Sequence, residues 1–247
     1  MTSRVFFFLF LLTGVALAQI DMYPVGAAAL EKKFNSTAGI NTRYTSDGLV
    51  TVSDLSVPAK ARNEFSKSLE SLRKQNFTRA LQELKRALAI DPAFPGAYNN
   101  LGVVYSHLGD TQQEREALEK AVACNDHFKL AYLNLARMDL VSSDLEGADE
   151  ALVKVSVLDP SDPVPVLLLA YSELMQGRLP QSIAAASKAH GLNQPHAFAH
   201  RVAARAFEQQ RQFDRAIAEL KTFLKEEPAS SSAADVRREL EIVQRLQ

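Results

Sequence analysis

Apolar residues in this chain recur at intervals of three and four, in short runs that alternate with polar turns. From residue 61 onward the runs come in pairs. One pair passes through Tyr98, Leu101 and Tyr105, turns at Leu108-Gly109-Asp110, and resumes toward Leu118. Such spacing places the apolar side chains on one face of a helix, so each pair predicts a helix, a tight turn and a second helix.

The pairs repeat at a fixed interval. Pro92, Pro160 and Pro228 stand 68 residues apart, with Asp126 and Gln194 halfway between, and the preceding residues are Asp91, Asn125, Asp159, Asn193 and Glu227. The period is 34, and five copies follow without a gap: 61–94, 95–128, 129–162, 163–196 and 197–230. A period of this length marks an array in which each unit stacks on the next. The eighth position is always small: Ser68, Gly102, Ala136, Ala170 and Ala204. The twentieth holds Ala80, Glu114, Ala148, Ser182 and Ala216, small in all but the second copy. Small residues in register predict close approach of backbones. Gly102 in particular interrupts a helical run, at a cost of about 1 kcal/mol relative to alanine. At the fifteenth position, Gly109 and Gly177 suit the left-handed residue that closes a helix. Asp-Pro ends the second helix, because the residue before proline is pushed out of the helical region.

This pattern resembles the tetratricopeptide repeat, whose signature runs W-x2-L-G-x2-Y, then A-x3-F, then P. The second copy matches through Tyr98, Leu101, Gly102 and Tyr105. The first matches through Asn76-Phe77, Ala80, Leu84, Ala87 and Asp91-Pro92, but Glu64 and Lys67 occupy normally apolar positions and leave a one-residue slip open. The fifth carries Ala203-Ala204, Phe207, Phe213, Ala216, Leu220 and Pro228, with His200 where an aromatic is usual. The resemblance implies an all-α fold: a right-handed superhelical solenoid of about five helix-turn-helix units. Ser232 with Asp235 resembles a helix start, and Val236, Leu240 and Val243 form one apolar stripe, so residues 231–247 are expected to cap the stack.

The resemblance also implies a concave groove, lined by the first helices, in which extended peptides or partner helices bind. The positions that match are Asn99, Asn100, Asn134, Arg137, Leu167, Tyr171, Leu174, Arg201 and Arg205. Amides there can bond a peptide backbone, arginines its carboxylates and leucines its apolar side chains. The family's chaperone-binding clamp of Lys and Asn in succession is not found. The stretch 163–175, PVPVLLLAYSELM, is apolar on nearly every side, whereas a surface helix keeps a polar face. A partner, self-association with a second copy, or the leader folded back is expected to cover it.

Ahead of the array, Arg4, the apolar run Val5 to Leu12 and the small-residue end Ala16-Leu17-Ala18 read as a signal peptide over 1–18, cut before Gln19. Its apolar run is too short for a membrane span, and no later stretch is long enough. Residues 19–58 read as a largely extended leader, with one helix near Ala27 to Phe34 and a short strand at Leu49 to Val52. The chain is thus expected to be exported, periplasmic or secreted, in a bacterium.

The formal net charge of −1, with both signs interspersed, gives no basic stripe for nucleic acid. The one cysteine, Cys124, can form no internal disulfide and reads as a small buried side chain. His196 and His200 are four apart, but without the glutamate of a zinc-protease motif, and they read as structural. His107, His127 and His190 have no partners at ligand spacing. No phosphate loop or nucleophile elbow appears, so no catalytic residue, metal or cofactor is expected. The expected function is a non-catalytic scaffold or adaptor that binds a protein or peptide partner. The alternative is a regulatory or assembly subunit of a cell-envelope enzyme or secretion complex.

Overall fold

The computed structural model describes residues 57–192 and 197–247. The signal stretch, the leader up to residue 56 and His196 lie outside them. The described residues form eleven helices and no strand. Ten are paired: α1 (Ala59–Arg73) with α2 (Phe77–Ile90), α3 (Pro95–Leu108) with α4 (Thr111–Cys124), α5 (Lys129–Ser142) with α6 (Leu145–Leu158), α7 (Pro163–Met175) with α8 (Leu179–His190), and α9 (Ala197–Gln209) with α10 (Phe213–Glu226). The eleventh, α11 (Ala233–Leu246), packs on α10. Each helix packs on the next in the chain, and the described residues 57–192 and 197–247 form an all-helical repeat solenoid.

The turn inside each pair has one geometry. The fifteenth position is left-handed in all five units, with φ of 55° at Gln75, 75° at Gly109, 62° at Ser143, 73° at Gly177 and 59° at Arg211. Glycine adopts this conformation without steric cost, whereas a residue with a Cβ pays about 1 kcal/mol or more. The second helix then starts on a side-chain cap in three units. Asn76, Asp110 and Asp144 accept hydrogen bonds from the backbone N–H groups of Arg79, Gln113 and Gly147, each at 3.1 Å.

The small columns are where helices meet. Ser68, Ala136, Ala170 and Ala204 are fully buried, as are Ala80, Ala148, Ser182 and Ala216. Ser68 lies in the core with Phe65, Leu69 and Leu72, so the first unit keeps the common register and no slip occurs. Glu114, the exception in its column, is buried in an ion pair with Arg137 of the next unit.

Two expectations are corrected. The apolar helix α7 is covered within the chain: α6, α8 and α9 pack on it, and Leu167 is only 3% exposed, so no outside partner is required there. Cys124 ends α4 and is exposed rather than buried. Ser232 stands at the start of α11, where a helix start is expected, although its side chain makes no capping hydrogen bond.

Candidate interaction surface

The nine residues expected along the groove share the first helices α3, α5, α7 and α9, but most are closed to a partner. Asn99, Asn100, Asn134, Leu167, Leu174, Arg201 and Arg205 are buried, and only Arg137 and Tyr171 are half-buried. The amides bond one another: Asn134 Nδ2 donates to Asn99 Oδ1 at 2.8 Å, and Asn99 Nδ2 donates to Asn100 Oδ1 at 3.2 Å. This row ties α3 to α5. Buried amides require such partners, because an unpaired polar group in the interior costs about 1–3 kcal/mol.

The arginines are neutralised from within. Arg201 Nε donates to Glu239 Oε2 at 3.0 Å, and Arg205 Nε lies 2.7 Å from Glu239 Oε1. Glu239 belongs to α11, so the capping helix supplies the carboxylate that an incoming peptide was expected to bring. Arg205 also donates to Glu208 at 2.9 Å. Burial nevertheless outweighs the arginine, and the Glu208 carboxyl is pushed up to about 7. Arg137 pairs with Glu114 and donates to Ser106 Oγ at 3.1 Å. A guanidinium already matched to a carboxylate at low dielectric has little charge left to offer.

An open surface remains where the second and third units meet. A cleft of roughly 610 Å³ is lined by Ser106, Glu114, Arg115, Arg137, Met138 and Val141, among others. Val141, in the last turn of α5, is 67% exposed and was not among the expected residues, although it stands one turn beyond Arg137 on the same helix. Arg115 is part-exposed and donates to Asp139 across the cleft wall. Burial pushes the Asp139 carboxyl up in spite of that arginine. The wall therefore combines apolar surface with charges of both signs.

The chemistry-bearing singletons fall elsewhere. Partial burial of the sulfur and nearby Asp91 push the Cys124 thiol pKa up, which disfavours the thiolate a nucleophile needs. His107 stacks on Phe77, with ring centroids 4.3 Å apart. His190 and His200, distant in the repeat pattern, meet in space. Among the described residues, no helix is long and apolar enough to cross a membrane.

Two family models match the chain, one described as TPR repeat over residues 61–109 and one as tetratricopeptide repeat over 95–125. No curated protein matches it. Among solved structures, it is similar to a tetratricopeptide repeat protein from Parabacteroides merdae, at 16% identity and a TM-score of 0.67, covering 76% of this chain and 74% of that one. MamA from Desulfovibrio magneticus RS-1, from residue 41 to its end, aligns at 20% identity and a TM-score of 0.65, covering 72% and 100%. YrrB, described as a TPR protein with an unusual peptide-binding site, aligns at 17% identity and a TM-score of 0.62, covering 72% and 92%. At these identities the likeness speaks to the fold. The family matches identify tetratricopeptide repeats over residues 61–125, and the same 34-residue register carries on through all five units.

Proposed function

We propose that the array is a non-catalytic scaffold that binds an extended peptide segment of a partner protein in the cleft between its second and third units. Tetratricopeptide repeats typically serve as interaction scaffolds, which supports the general reading. The observation that carries the specific one is Val141, exposed beside Met138 and flanked by the Arg115 and Arg137 ion pairs. An apolar peptide side chain would cover Val141, while Ser106 and the part-exposed Arg115 would bond its polar groups. The description of YrrB as peptide-binding lends support by analogy of fold. The signal-like first 18 residues support an exported compartment, periplasmic or secreted, as part of this reading.

Affinity capture by the mature chain from an exported fraction, repeated with Val141→Glu, tests the reading. The expected result is a specific partner retained by the parent and reduced at least tenfold by the variant, with both proteins equally folded by circular dichroism. An identical captured set would overturn the cleft as the binding site, and a chain confined to the cytoplasm would overturn export. An enzyme as the partner would make the scaffold its regulatory subunit.

A further inference from the structure

Three helix ends converge at the junction of the fourth and fifth units. His190 is the last residue of α8, His200 lies in the first turn of α9, and Glu226 is the last residue of α10. One ligand-type atom from each lies within 4.8 Å of the other two. Glu226 Oε1 stands 3.5 Å from His200 Nε2 and 3.6 Å from His190 Nε2, and the imidazole centroids are 4.3 Å apart. Zinc binds imidazole nitrogen and carboxylate oxygen at about 2.0–2.2 Å, so neighbouring ligands of a tetrahedral site sit about 3.3–3.5 Å apart. Two edges of the cluster already have nearly that length.

Two further observations point to a ligand. His200 Nε2, the nitrogen that faces Glu226, is buried and makes no hydrogen bond, which is unusual for an interior nitrogen. His200 Nδ1, on the opposite side of its ring, lies 2.5 Å from Glu219 Oε2. A carboxylate on the far nitrogen fixes the tautomer and leaves the near nitrogen with a free lone pair, the arrangement found behind metal-ligating histidines. Charge agrees as well: two neutral imidazoles with the carboxylates Glu219 and Glu226 are balanced by one divalent cation. The side chains of His190 and Glu226 are 31% and 29% exposed, so an ion and a completing water can enter from solvent.

We propose that His190, His200 and Glu226 form a binding site for a zinc-class divalent metal ion, oriented by Glu219 and tying the fourth unit to the fifth. The ion joins α8, α9 and α10, adding to the contact between His200 and Glu219 that already links α9 to α10 at this end. Its role is that of a staple between adjacent repeats, separate from the cleft at the second and third units.

Isothermal titration of zinc chloride into the untagged full-length chain, freed of metal with chelator, tests the site, with cobalt(II) absorption as a second readout. The parent should bind one zinc per chain and give the intense visible bands of low-symmetry four-coordinate cobalt. Zinc should also raise its melting temperature. His190→Gln and Glu226→Gln should each weaken zinc binding at least tenfold and abolish the thermal shift. Glu219→Gln should weaken it roughly tenfold, as loss of an orienting partner does. His127→Gln, at an exposed position elsewhere, should change nothing. Absence of zinc binding by the folded parent would overturn the proposal, as would equal affinity in the His190 and Glu226 variants. Because Glu226 is part-exposed, its variant is expected to fold even if substitution at His190 disturbs the junction.

Discussion

A Cβ on Gly102 would stand 2.7 Å from Leu118 Cγ and 2.8 Å from its Cδ2, and Leu118 is fully buried and has little room to yield. The glycine thus exists for the approach of α4 to α3. Gly102→Leu should destabilise the array by about 1–3 kcal/mol through overpacking, read as a lower denaturant midpoint in urea. A variant as stable as the parent would show that α4 can move aside. The need for a small residue here is legible from the eighth column of the repeat. What is not legible is the partner, since Leu118 is 16 residues away and meets Gly102 only when the turn at Gly109 folds the helices together. The same limit applied to His190 and His200, whose spacing of ten fits no metal motif on a single helix.

At the scale of elements, α11 does more than cover apolar surface. Its Glu239 is 1% exposed and faces Arg201, 3% exposed, and Arg205 on α9, so the cap is locked to the last unit by a buried ion cluster. Glu239→Gln would leave buried guanidinium charge without its carboxylate, a loss of about 3–5 kcal/mol in comparable buried pairs. Thermal unfolding should show the fifth unit and the cap melting ahead of the rest, and hydrogen exchange should place the loss of protection in α9 and α11. Unchanged protection there would mean that the cap is held by its apolar stripe alone. The existence of the capping helix follows from the stripe Val236, Leu240 and Val243. Its charge partners do not, because Arg201 and Glu239 lie 38 residues apart, beyond any periodic signal within one unit.

For the whole molecule, buried titrating groups link stability to pH. Glu208 keeps its proton in the folded chain up to about 7, while the unfolded carboxyl loses it near 4.5. Below the lower value both states are protonated and the contribution is complete. Between the two values the folded state binds more protons, so stability falls as pH rises, by about 3 kcal/mol at most. His200 acts in the same sense: its hydrogen bond with Glu219 raises its pKa above 6.5, so its contribution is present below that value and lost as pH rises through the folded one. The metal-free array should therefore melt at a lower temperature at pH 8 than at pH 6, and Glu208→Gln should flatten that slope. A parent curve flat from pH 5 to 8 would contradict it.

The 34-residue period, the helix pairs, the closing turns and the position of the cap were all determined by the order of residues, because each rests on contacts within one unit or between adjacent units in register. Tertiary structure decided what the first helices present. The amides and arginines that look like a binding face are consumed by one another and by α11. The open surface is set by which side chains remain uncovered, Val141 foremost, and the metal-type cluster by which helix ends converge. Periodicity specifies the neighbours of a residue along its own helix and column, but burial and charge neutralisation depend on groups that reach it from other units, and those meet only in the folded stack.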